Sequence, residues 1–153
     1  MNIKSIIFRE AYAHSRNHTL LRNVLNNLSL TDFKGKTFEE IVLLVNLRLY
    51  SVKGIGKLTR YDIIASIAKL FKVSVNHIYI VGNGPRAAIR HLKLTDKLKR
   101  ETFGRYAFQY IEKEDLIDRM REKGYKTEAE RFESIENLDT IESELCVFSR
   151  DHK

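Results

Sequence analysis

The residues best suited to chemistry form one short run, Val52-Lys53-Gly54-Ile55-Gly56-Lys57-Leu58-Thr59. Two glycines one residue apart let the backbone come close to a ligand, because neither carries a Cβ. A helix beginning on their far side offers opening N–H groups and the positive end of its dipole, both of which favour an anion. Lys53 and Lys57 flank the turn, and the combination is a phosphate-binding arrangement. A second run repeats the glycine spacing 28 positions later, in Val81-Gly82-Asn83-Gly84-Pro85-Arg86-Ala87-Ala88, with Arg90 one turn further on. It reads either as a degenerate copy of the first or as a plain helix start, where Gly84-Pro85-Arg86 still favours an anion.

Other residue types that could do chemistry are thinly spread. Glu10, His14 and His18 recur every four residues and would share a helix face. They lack both the zincin glutamate and a fourth ligand, so an exposed polar stripe is expected and no metal or cofactor. His77 and His91 stand alone. Glu112, Glu114, Asp115 and Asp118 are interleaved with lysine and arginine, the pattern of a solvated helix face rather than a divalent-metal nuclease. The single cysteine, Cys146, sits in Leu145-Cys146-Val147-Phe148 and reads as a small core residue. One thiol makes no disulfide framework, which fits a cytoplasmic location.

The elements that must position these residues read as helices throughout. Leu20, Leu21, Val24, Leu25 and Leu28 form an apolar stripe, and Ile6, Ile7 and Ala11 form another before it. Thr37 with Glu40 makes a capping box for a helix running to about Tyr50, apolar nearly all round and therefore expected at the centre of the core. A helix over 59–71 follows the glycine turn. Residues 73–81 are rich in β-branched side chains, but with no second strand to pair with they read as helix or connector. Pro85 is placed as the first residue of a helix through Leu92, and Thr95 opens a helix through Tyr110. The C-terminal helices carry Leu116, Ile117 and Met120 up to Gly124, then a second capping box at Thr127 and Glu130, then Ile141, Leu145 and Phe148. The expected fold is all-α, a single compact helical domain over 1–153.

Charge is unevenly placed on this chain of 153 residues with net charge +7. Residues 1–110 carry 19 Lys and Arg against 7 Asp and Glu, whereas 111–153 carry 8 against 13. A basic body with an acidic end is the pattern of a polyanion binder, although the two parts would also attract each other when folded. No apolar run is long enough to span a bilayer, and the first charges come too early for a signal-peptide core.

The stretch 37–71 resembles the helix-hairpin-helix family of DNA-binding motifs. The matching residues are Val52, Gly54, Ile55 and Gly56, followed by Lys57 and Thr59, with an apolar helix on each side. Lys53 stands where the family usually has proline, and Arg60 where alanine is common. The resemblance covers about 35 residues, the size of one supersecondary motif. It implies contact between hairpin N–H groups and one or two backbone phosphates, without base reading. Taken with the second run, the hairpin core is expected over 37–92, with an acidic helical part over 111–153. The expected nucleic-acid-binding residues are Lys53, Gly54, Ile55, Gly56, Lys57, Thr59 and Arg60, and in the second run Gly82, Gly84, Arg86 and Arg90. More faintly, the whole chain resembles small bacterial proteins of unassigned function that contain this motif, through residues 53–63 and 141–147.

The family also includes DNA glycosylases, which place a lysine two residues after the second glycine and an aspartate about 18 residues later. Leu58 and Asn76 occupy those positions here. Lys57 is one place off and beside the phosphate site, where its amine would be held protonated rather than nucleophilic. The expectation is therefore a non-enzymatic, sequence-independent DNA-binding protein. The alternative is a helical adaptor that keeps the hairpin as scaffold and binds a protein partner through its acidic helices or an exposed apolar patch. A third reading joins the two, with the acidic part mimicking DNA on the basic surface.

Overall fold

The computed structural model describes residues 18–50 and 52–152. The stripe Ile6, Ile7 and Ala11, and the residues Glu10 and His14, lie outside the described residues. The chain divides into two compact units, one ending at Ser74 and the other beginning at Val75. That boundary falls inside the stretch 37–92, so the two glycine runs belong to different units.

The first unit is helical. Helix α1 (His18–Asn27) leads to a 3-10 turn (Leu30–Phe33), then α2 (Phe38–Leu49) and α3 (Lys57–Leu70). The Thr37 hydroxyl accepts from the Glu40 N–H (3.2 Å), and the Thr37 N–H donates to the Glu40 carboxylate (3.0 Å), closing the capping box. That backbone hydrogen bond holds the Glu40 pKa below its ordinary value. Helix α2 packs on α3, and its Ile41, Val42 and Val45 are fully buried. It is not buried all round, however. Leu43 is 41% exposed, Leu47 70% and Tyr50 63%, at the i, i+4, i+7 spacing that aligns them on one face.

The second unit departs from the all-α expectation. Helices α4 (Asn83–His91), α5 (Lys113–Glu122), α6 (Lys126–Ser134) and α7 (Leu138–Asp151) accompany a small antiparallel sheet of β1 (Ile78–Tyr79), β2 (Lys99–Phe103) and β3 (Tyr106–Ile111). The strand order is β1-β3-β2. The expected helix from Thr95 to Tyr110 is instead a 3-10 turn (Thr95–Lys97) followed by the β2–β3 hairpin. Phe103 pairs with Tyr106 across the two-residue loop Gly104-Arg105. Gly104 has φ +60° while Arg105 is not left-handed, the signature of a type II′ turn with glycine in its first central position. Once β3 exists, the β-branched segment before Gly82 has a partner: Ile78 pairs with Ile111 and Tyr79 with Tyr110.

Ile78 and Ile111 face a core built with Ile89 of α4 and its C-cap Leu92, Leu116 and Met120 of α5, Phe132 of α6 and Leu145 of α7. Helix α5 ends as its sequence predicts, at Gly124 with φ +88°. The N–H of Tyr125 donates to the Met120 carbonyl and that of Gly124 to Arg121, a Schellman closure. The same pair of bonds ends α3 at Lys72 and α4 at Lys93, non-glycine residues forced to φ +56° and +55°. Helix α6 begins at Lys126 with Tyr125 as its N-cap, so Thr127 lies inside the first turn and the expected Thr127–Glu130 capping box does not form. Cys146 is exposed rather than part of the core. On α7 the core face is set by Ile141, Leu145 and Phe148, and Cys146 lies about 100° away from Leu145.

Candidate nucleic-acid interface

The turn between α2 and α3 is built by its own sequence. The Val52 N–H donates to the Leu49 carbonyl (3.0 Å), closing the end of α2. Gly54 then takes φ +91°, a left-handed conformation that side-chain-bearing residues adopt only at a cost. Ile55 returns inward and is 6% exposed, anchoring the loop to the core. Gly56 is the N-cap of α3, with φ −78° and ψ 174° and no side chain to satisfy the opening N–H groups. The first α-helical bond of α3 runs from the Arg60 N–H to the Gly56 carbonyl (3.1 Å). The N–H groups before it therefore lack intrahelical acceptors. A Cβ placed on Gly56 would meet nothing within 4 Å, so the glycine opens onto empty space.

The expected residues of this run separate into two groups. Lys53, Gly54, Gly56 and Lys57 are exposed. Ile55 and Thr59 are buried, Thr59 at 3%, and form the floor of the turn. Arg60 is half-buried. Its Nε donates to the Ile55 carbonyl (3.3 Å) and its Nη2 to the Leu49 carbonyl (3.4 Å). The guanidinium thereby ties the two sides of the loop together, a role the sequence alone does not suggest.

The second glycine run is not a second hairpin. What precedes Gly82 is β1, not a helix. Helix α4 starts at Asn83 with buried Gly82 as its N-cap, two residues earlier than expected, and Pro85 is its third residue. Proline is tolerated there because the N–H it lacks would have no intrahelical acceptor; the first bond runs from the Arg86 N–H to the Gly82 carbonyl (3.1 Å). Gly84 has a packing role. A Cβ there would lie 2.9 Å from Cys146 Sγ and 3.2 Å from its Cα, so glycine is what lets α4 approach α7. Arg86 and Arg90 are exposed on α4.

Two clusters formed by the isolated histidines appear only in the fold. His77 stacks on Tyr110 at 3.7 Å between ring centroids, and its Nε2 lies 3.3 Å from a Glu101 carboxylate oxygen. The other Glu101 oxygen accepts the Tyr79 hydroxyl. Burial, then the hydrogen bond and charge of Glu101, push the Tyr79 pKa well above its ordinary value. The cluster links β1 to β2 across the central strand, which is a structural task. His91 Nε2 lies 2.7 Å from the Tyr125 hydroxyl, and both rings border Phe148 and His152. Beside them a cleft of about 240 Å³ is lined by Glu128, Arg131, Phe148 and His152, among others. Arg131 pairs there with Glu144 at 3.1 Å, and His152 Nε2 lies 3.7 Å from a Glu128 carboxylate oxygen. Among the described residues no three His, Cys, Asp or Glu side chains are placed to hold a metal ion, and no helix is long and apolar enough to cross a membrane.

No family model, curated protein or solved structure matches this chain.

Proposed function

We propose that this chain is a non-enzymatic DNA-binding protein that holds a backbone phosphate at the turn between α2 and α3, largely without regard to sequence. The observation that carries the reading is the open Gly56 at the start of the 14-residue helix α3, with Lys53 and Lys57 exposed beside it. Such a site offers backbone donors and positive potential but no side chain aimed at base edges. Phosphate contacts of this kind position a protein without encoding sequence. Leu58 and Asn76 at the glycosylase positions support binding over base excision.

The test is fluorescence anisotropy with labelled duplexes of two unrelated sequences at low salt. Both duplexes are expected to bind with similar affinity, and binding should weaken steeply as salt rises. Gly56→Val, which fills the open space with a branched side chain, is expected to weaken binding to both by at least about tenfold, the loss of one charge-assisted contact. Absence of binding at low salt, or an unchanged affinity in Gly56→Val, would overturn the proposal.

A second reading is favoured by one observation, the exposed stripe of Leu43 and Leu47 on α2 with its C-cap Tyr50. Aligned apolar side chains in water are the mark of a protein-interaction face. In that reading the hairpin is a scaffold. Leu47→Lys would then abolish partner binding, with DNA affinity negligible and insensitive to salt in the parent protein.

A further inference from the structure

Several cations of the second unit are tied to acceptors, most of them on α5 and α6. Lys99 pairs with Glu112 (3.3 Å), Arg119 with Glu122 (3.1 Å), Arg121 with Glu133, and Arg131 with Glu144 (3.1 Å). Lys113 donates to the carbonyls of Glu133 and Ile135 at the end of α6. By contrast, Arg86, Arg90, Lys93, Lys97 and Arg100 are all exposed, and none of them ion-pairs with a described carboxylate. They follow one another along α4, its closing turn, the 3-10 turn and the start of β2, and Asp96 is the only carboxylate between residues 86 and 100. Arg86 and Arg90 stand one helical turn apart, about 6 Å along the axis. The unit's carboxylates are thus concentrated on α5 to α7, leaving this edge uncompensated.

We propose that this edge, from α4 to the start of β2, is a second nucleic-acid contact surface, in which Arg86, Arg90, Lys93 and Lys97 follow the phosphates of one strand. It lies in a different unit from the glycine turn and does not depend on it. The arrangement favours a solvated linear polyanion over a lipid surface. A helix that lies on a membrane must present an apolar face to the acyl chains, whereas the apolar residues Pro85, Ala88 and Ile89 of α4 and its C-cap Leu92 are buried. A row of separate cations, rather than a pocket, also suits repeated phosphates and releases one counterion for each contact.

The experiment uses the full chain with Arg86→Gln, Arg90→Gln, Lys93→Gln and Lys97→Gln combined, its fold checked by thermal melting. Binding to a labelled duplex is measured at several salt concentrations. The slope of log affinity against log salt is expected to become shallower by about 3.6, since each of the four phosphate contacts contributes about 0.9. The pair Arg86→Gln and Arg90→Gln alone should lower it by nearly two, which keeps the test available if the fourfold variant loses its fold. A control that neutralises Lys34, Lys69 and Lys72, exposed in the first unit, should change the slope by less than one. An unchanged slope in the α4 variants, an equal change in the control, or loss of binding to anionic vesicles without loss of binding to DNA would each overturn the proposal. Gly56→Val run in parallel separates the two sites: if it alone weakens binding, the turn is the contact and this edge is not, and the reverse result leaves this edge standing without the turn.

Discussion

Gly56 and Gly84 occupy helix starts in the two units, and their surroundings predict losses of different size and cause for the same mutation. In Gly84→Ala the new Cβ would sit 2.9 Å from Cys146 Sγ and 3.2 Å from Cys146 Cα. The sulfur could swing away, but the Cα belongs to the backbone of α7 and can yield only if the helices separate. Overpacking of this kind costs about 1–3 kcal/mol, against a helix-propensity gain of at most about 1 kcal/mol for replacing glycine by alanine. A net loss of about 1–2 kcal/mol follows, or roughly 2–8 °C in melting temperature for a chain of this size. In Gly56→Ala the Cβ enters open space at φ −78°. The only stability cost there is alanine's poorer N-capping, about 0.5 kcal/mol. Urea denaturation followed by circular dichroism measures both. Adding Cys146→Ala, which removes the nearest atom, should recover part of the Gly84→Ala loss, with a coupling of more than about 0.5 kcal/mol between the two sites. A neutral or stabilising Gly84→Ala, or additive effects of Gly84→Ala and Cys146→Ala, would refute the assignment of Gly84 to helix packing.

Three further perturbations follow from the geometry. Lys93 holds the left-handed position of the Schellman turn after α4, so Lys93→Gly should raise stability by about 0.5–1 kcal/mol in denaturant titrations. Arg119 donates through Nη1 to the carbonyls of Leu92 (2.9 Å) and Lys93 (2.6 Å) at the end of α4; Arg119→Met should lower stability by about 1.5–3 kcal/mol, as expected for hydrogen bonds to a charged group. Because the folded state raises the Tyr79 pKa, its contribution to stability is present below the ordinary value of 10 and is lost as pH rises past it. Tyr79→Phe should therefore flatten the alkaline decline in stability above pH 10 by up to about 1.4 kcal/mol per pH unit, the effect of one proton, measured by denaturation at pH 9 to 11.

The features legible in the sequence are those fixed by local chemistry. Thr37 and Glu40 specify a capping box from their spacing alone, and it forms. Gly124 stops α5 because its conformation is encoded in one residue. The turn at Gly54 and Gly56 is likewise local, and its apolar flanks give α2 and α3. What escaped depends on partners distant along the chain. The segment holding Ile78 and Tyr79 is a strand only because β3 exists, and the charged residues of β2 hide the strand pattern of the hairpin. The signal that could have revealed it is Gly104-Arg105 between Phe103 and Tyr106, a two-residue loop with glycine where a type II′ turn needs it. The two glycine runs match in sequence at Gly54 with Gly82 and Gly56 with Gly84, yet in the fold Gly82 shares the N-cap role of Gly56. The repeat of spacing thus joined a loop glycine to a capping one, and a capping one to a packing one. Cys146 has apolar neighbours in sequence but falls on the wrong side of α7 to join them in the core. The roles of Arg60 and Arg119 as ties to backbone carbonyls, and of Glu101 as acceptor for Tyr79, need side chains brought together across 11 to 27 residues, which no spacing rule supplies.

In the proposed contact the phosphate is held by the backbone amides of the turn. In 1H–15N correlation spectra of the full chain titrated with a short duplex at low salt, the proposed phosphate contact predicts its largest shifts at the amides of Gly56, Lys57 and Leu58, all reversed by added salt. Saturable binding that leaves those amides unmoved, or their movement unchanged by salt, would contradict it.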